Sequence, residues 1–154
     1  MSEGGVLSPF DSYLVLRGIK TLPLRMEKSC DNAEKIAGYL KTNSTVEEVF
    51  FAGFAPKVQR ELQQKQSKRF GAMISFYVKD EKKIPEILSR LKLISFAESL
   101  GGVQSLITYP VTQTHNAIPK ELREKAGVND RLLRLSVGIE NAEELISDLE
   151  QALK

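Results

Sequence analysis

Apolar and polar positions along the chain alternate in two periods, and the places where one period gives way to the other mark out the elements. Residues 1 to 9, "MSEGGVLSP", carry neither period and read as irregular. From Asp11, placed as a helix cap after Pro9, the stretch "DSYLVLRGIKTLPLRMEKSCDNAEKIAGYLKTN" reads as one long helix or two in series. Gly18 and Pro23 mark its bend or break. In the second part Met26, Cys30, Ala33, Ile36, Ala37 and Leu40 recur at spacings of three and four and make one apolar face. The first part, with Tyr13, Leu14, Val15, Leu16, Ile19 and Leu22, is apolar almost all round and calls for neighbours on more than one side.

Beyond it, "TVEEVFFAGF" (45–54) predicts a strand ending at Gly53, and "FAPKVQRELQQKQSKR" a short charged helix or a linker with helical turns. "GAMISFYV" (71–78) is rich in β-branched and aromatic residues and predicts a strand. "DEKKIPEILSRLK" (80–92) predicts an amphipathic helix with Ile84, Ile87, Leu88 and Leu91 inward, and "LISFAESLGG" a strand running into a turn. The segment 103–130 mixes turn residues with a short helix at "PKELREKAG", Pro119 at its start and Gly127 at its end. "RLLRLSVG" then predicts a strand, and "NAEELISDLEQALK" a closing amphipathic helix capped by Asn141. Helices and strands in this order predict an α+β fold (α/β sandwich) with a small sheet of about four strands. No internal repeat or low-complexity segment interrupts the order.

Composition narrows the class. The 154 residues are enough for one domain with a real core. With 22 basic and 20 acidic residues the net charge is +2, and the signs are interspersed, so no nucleic-acid or membrane partner is expected. No apolar run approaches a membrane span, and no secretory signal opens the chain. The single cysteine, Cys30, rules out an internal disulfide framework and fits a reducing cytoplasm, where the protein is expected to reside. On its helical apolar face Cys30 reads as a small buried thiol.

Candidate chemistry is sparse. The chain has no Walker-type loop, no Gly-x-Gly-x-x-Gly, no Gly-x-Ser-x-Gly and only one histidine, His115, in the polar loop "TQTHNAIP". Arg134 is the sharpest feature. Alternation puts Leu133, Leu135 and Val137 on one face of its strand and Leu132, Arg134 and Ser136 on the other. A guanidinium in that mixed face is costly without an anion beside it. Its partner is either a neighbouring Asp or Glu, as a structural ion pair, or a ligand carboxylate or phosphate gripped by two parallel hydrogen bonds. "AESLGG" (97–102) is either a plain turn or a place where backbone amides and a hydroxyl meet a ligand closely.

Four stretches taken together, "SPFDSYLVLRGIKTLPLRME", "AESLGGVQSL", "YPVTQTH" and "RLLRLSVGIENAEELISDLEQAL", resemble the C-terminal part of the pyridoxal-phosphate enzymes of cysteine and methionine metabolism. That family contains cystathionine γ-synthase, cystathionine β-lyase, cystathionine γ-lyase and methionine γ-lyase, and the match runs in order from about Ser8 to the last residue. The resemblance implies the C-terminal domain of a fold-type I enzyme, a small, mainly antiparallel sheet with helices on one side. On this reading residues 1–44 are an N-terminal segment and long connecting helix, and 45–154 are the small domain. It further implies that Arg134 grips the substrate's α-carboxylate. Ser99 lies beside that carboxylate with the Leu100 backbone close by, Thr114 lines the substrate pocket, and Glu98 sits at a position linked to substrate choice. Glutamate there looks more like the cystathionine enzymes than methionine γ-lyase. Pyridoxal 5'-phosphate, a sulfur amino-acid substrate and a dimeric or tetrameric assembly are implied for the full-length parent. The chain departs from the family pattern in one large respect: no stretch resembles the lysine motif or the cofactor-binding residues of the large domain, so the isolated chain is expected to be inactive. A non-catalytic amino-acid-binding module and an oligomerisation module are the alternatives.

Overall fold

A computed structural model describes residues 5–154. Helix α1 (Pro9–Ile19) is capped by Ser8, whose hydroxyl accepts from the Asp11 N–H at 3.1 Å. The cap therefore lies three residues before the Asp11 position that the sequence suggests. Pro9 needs no N–H partner at the helix start, and Asp11 lies in the first turn, where its negative charge suits the helix dipole. The chain breaks at Lys20–Thr21 and resumes as α2 (Leu22–Thr42), so the long pattern is two helices in series. Arg25 holds the joint by donating to the Gly18 carbonyl at 2.8 Å.

Strands β1 (Val46–Phe50), β2 (Met73–Val78), β3 (Ser95–Phe96), β4 (Leu106–Thr108) and β5 (Leu132–Ser136) form one sheet in the order β1-β2-β5-β4-β3. All pairings are antiparallel except β3 with β4. The mainly antiparallel α+β expectation holds, with five strands in place of about four. The extra one is β4, three buried residues in a segment whose turn residues mask it. The strand expected over "LISFAESLGG" is only two residues long, because Asp148 and the turn at 97–102 claim the backbone on either side.

Helices α2, α4 (Ile84–Arg90) and α6 (Ala142–Ala152) cover one face of the sheet. The core joins Ala33, Ile36, Ala37 and Leu40 of α2 to Ile74, Phe76 and Val78 of β2 and to Leu133, Leu135 and Val137 of β5. Each large side chain buried there contributes about 1.5–3 kcal/mol of transfer free energy. Met26 was expected on this face but is 41% exposed, since α2 is buried only from Ser29 onward. Cys30 is buried as expected, and desolvation pushes its thiol up, away from the reactive thiolate.

Two polar devices fix the irregular segments. Asp148 of α6, 6% exposed, accepts from the backbone N–H groups of Lys92, Leu93 and Ile94, each at 2.9 Å. Asp130 fastens the excursion between β4 and β5. Its carboxylate receives Lys120 and Arg123 at 2.6 Å each, and its carbonyl receives the Tyr109 hydroxyl at 2.8 Å. Lys120 holds the Asp130 carboxyl below its usual range, against the desolvation that opposes it. Helices α3 (Lys57–Gln66) and α5 (Lys120–Lys125) contribute no buried residue.

Candidate functional site

Arg134 projects from β5 on the face away from the helices, level with Ser75 of β2 and Thr108 of β4. Its strand neighbours divide as the alternation requires: Leu133 and Leu135 are fully buried in the core, and Leu132 and Ser136 are buried on the Arg134 face. The local ion pair that a half-buried arginine would ordinarily make is missing: among the described residues no carboxylate lies within ion-pairing distance of it. Its Nη2 donates instead to the Glu98 carbonyl oxygen at 3.0 Å and to the Thr108 hydroxyl at 3.3 Å. Nε and Nη1 have no partner among the described residues. The guanidinium is thus steered by one nitrogen and presents its other donors outward, a geometry suited to a planar anion.

The turn after β3 crosses this face. The Ala97 N–H donates to the Ile107 carbonyl at 3.0 Å, and the Thr108 hydroxyl donates to the Ala97 carbonyl at 2.7 Å. Further on, the Gly101 N–H donates to the Ser136 hydroxyl at 2.9 Å. Gly101 turns with φ +74°, a conformation that favours glycine, and this lets its amide face the strand. Ser99 and Leu100 stand exposed between these fastenings, and the Glu98 side chain is exposed while its carbonyl holds Arg134.

Of the five residues singled out in the sequence, four are therefore brought together: Arg134, Glu98, Ser99 and Leu100. Thr114 lies on the loop after β4, exposed, its hydroxyl 2.8 Å from His115 Nδ1, with no hydrogen bond to the other four among the described residues. Thr108 and Ser136 were not singled out. Ser136 was legible as the next residue on the Arg134 face; Thr108 was hidden because β4 itself was. A cleft of about 560 Å³ lies elsewhere, between α2 and the segment 67–71. Its Arg69 is committed to Asp31 and Glu34 at 2.6 and 3.0 Å, so that guanidinium, unlike Arg134, is already paired.

Residues 1–154 match the family described as Cys/Met metabolism PLP-dependent enzyme. The chain is 49% identical to a cystathionine beta-lyase of Lactococcus lactis subsp. cremoris over 153 residues, covering 99% of this chain and 40% of that protein. It is 45% identical to an L-methionine gamma-lyase of Fusobacterium nucleatum subsp. polymorphum, covering 98% of this chain and 38% of that one. The crystal structure of cystathionine gamma-lyase from Lactobacillus plantarum complexed with L-serine superposes with a TM-score of 0.87 at 39% identity, over 97% of this chain and 39% of that one. The chain thus spans about 40% of the length of the curated relatives it matches. It belongs to the pyridoxal-phosphate-dependent enzymes of cysteine and methionine metabolism.

Proposed function

We propose that this chain supplies the substrate α-carboxylate clamp of a pyridoxal-phosphate-dependent trans-sulfuration enzyme, a C–S lyase or γ-synthase acting on cystathionine or a related sulfur amino acid. Residues 1–44 serve as the connecting segment and 45–154 as the small domain. The observation that carries the reading is Arg134, a steered guanidinium with no carboxylate partner among the described residues and with Nε and Nη1 open. Its Nη2 contacts fix the plane of the fork. A carboxylate seated there holds the rest of an amino acid in one orientation, and orientation decides which bond is aligned for cleavage. Ser99 and the Leu100 backbone flank that carboxylate, while Glu98 and Thr114 border the side-chain end of the pocket.

The residues of this chain do not fit the role of cofactor holder. An imine-forming lysine is one whose amine is kept neutral by burial or by a neighbouring cation, and every lysine of this chain is exposed. When bound, the cofactor supplies the electron sink for the reaction; the part taken by this chain is to bind and orient the substrate.

The test is Arg134→Lys in the cofactor-loaded protein that contains this chain. A point charge in place of the planar fork is expected to raise KM for L-cystathionine by about ten- to a hundredfold, as loss of a charge-assisted hydrogen bond of roughly 1.5–3 kcal/mol requires. Unchanged kinetics would remove Arg134 from the site. The assembly reading draws support from a separate observation: α1 has no buried residue although Phe10, Leu14 and Leu16 lie on it.

A further inference from the structure

After Arg134 the chain continues Leu135, Ser136, Val137, Gly138, Ile139, Glu140. The alternate residues Arg134, Ser136, Gly138 and Glu140 all touch the same other segment, residues 98–105. Arg134 takes the Glu98 carbonyl and Ser136 the Gly101 amide. Gly138 donates its N–H to the Ser105 hydroxyl at 2.9 Å, and a Cβ on Gly138 would fall on the Val103 carbonyl oxygen. The Glu140 carboxylate receives both the Ser105 N–H at 2.5 Å and the Ser105 hydroxyl at 2.9 Å. Between them the Ile139 N–H donates to the Val103 carbonyl at 2.9 Å. The far side of this ladder is tied to α2, where buried Asn32 donates to the carbonyls of Gly138 and Glu140 at 3.0 and 2.8 Å.

We infer that Glu140, Gly138 and Ser136 are positioning residues: they set the place of the Ser99–Leu100 turn relative to Arg134. The turn has no helix or strand of its own across residues 97–105. Its position is decided at its two ends: Glu98–Gly101 is held by Arg134 and Ser136 of β5, and Val103–Ser105 by Gly138, Ile139 and Glu140 in the segment that directly follows that strand. The spacing between the guanidinium and the turn amides is therefore written into one continuous stretch of chain, Arg134 to Glu140. Glu140 does this by accepting two hydrogen bonds at one residue, Ser105. A charged acceptor makes such bonds stronger than neutral ones. The inference rests on the clamp reading for its functional meaning, but the contacts themselves are ligand-free.

The experiment is amide hydrogen exchange and ¹H–¹⁵N spectra on the full 154-residue chain and on Ser136→Ala, Glu140→Ala and Glu140→Gln, with no ligand present. Ser136→Ala removes one acceptor from a side chain of small volume and keeps the test informative if Glu140→Ala fails to fold. Exchange at the Gly101 amide is expected to rise about fivefold or more in Ser136→Ala and Glu140→Ala, with a shift of the Arg134 Nε–H resonance, because loss of a hydrogen bond worth about 1 kcal/mol raises the open population by that factor. Glu140→Gln, which keeps an acceptor for the Ser105 N–H, is expected to return both signals toward those of the parent chain. Changes confined to residues 103–105 in Glu140→Ala, with Gly101 and Arg134 unmoved, would overturn the inference. A second arm titrates Arg134→Lys and Ser136→Ala in the cofactor-loaded protein with L-cystathionine. If neither changes KM while the exchange result stands, the positioning holds and the clamp reading alone has failed.

Discussion

Arg134 and Asp148 are two charges on buried elements, answered in opposite ways. Asp148 is fully used: burial raises the cost of its charge, but three backbone amides outweigh that and hold the carboxyl below the usual range. Because its folded pKa lies below the unfolded one, its stabilisation is complete above about pH 4 and is lost as pH falls through the folded value. Asp148→Ala, which strands those amides, is expected to cost about 3 kcal/mol and to lower Tm by roughly 10 °C at neutral pH. Asp148→Asn keeps one acceptor and is expected to melt lower at pH 7 with a shallower decline toward pH 3. Thermal melts across that range decide it, and parallel acid declines in parent and variant would remove Asp148 as their source. Arg134 could be found in the sequence because it breaks an apolar alternation. Asp148 could not: its partners are the backbone amides of residues 92–94, and no side-chain pattern marks them.

At the level of elements, strong periodicity was readable and short strands were not. The faces of α4 and α6, the alternation of β2 and β5 and the Asn141 cap follow from spacing alone, because each element is long enough to show its period. Strands β3 and β4, two and three residues long, are made by tertiary pairing, and no local pattern of that length stands out from a turn. The cost fell on the site, since Thr108 of β4 is one of the two groups that steer Arg134. Helix α1 shows the opposite case. Its all-round apolar pattern was clear, and within this chain the pattern stays unanswered, with Phe10 69% and Leu16 64% exposed. The chain is accordingly expected to self-associate, and Phe10→Ser with Leu16→Ser to shift it toward its 17.2 kDa monomer in sedimentation. A parent chain that stays monomeric at high concentration would count against α1 as an assembly surface.

For the molecule as a whole, the proposed function divides the labour: this chain grips the substrate and leaves the cofactor to residues it does not supply. Incubated with pyridoxal phosphate and L-cystathionine, the 154-residue chain is expected to develop no imine absorbance and to release no thiol. A stoichiometric imine band with turnover would overturn that. The family was legible because four stretches agree over nearly the whole length. Gly138 carries one more consequence. With no room for a Cβ beneath the Val103 carbonyl, the turn packs backbone to backbone against the segment that follows the arginine strand. On the proposed function, a carboxylate arriving at the guanidinium meets a turn already held by these contacts, so little conformational entropy is left to lose on association. Under that proposal a loosened turn is expected to show first as a shorter residence time of the bound carboxylate.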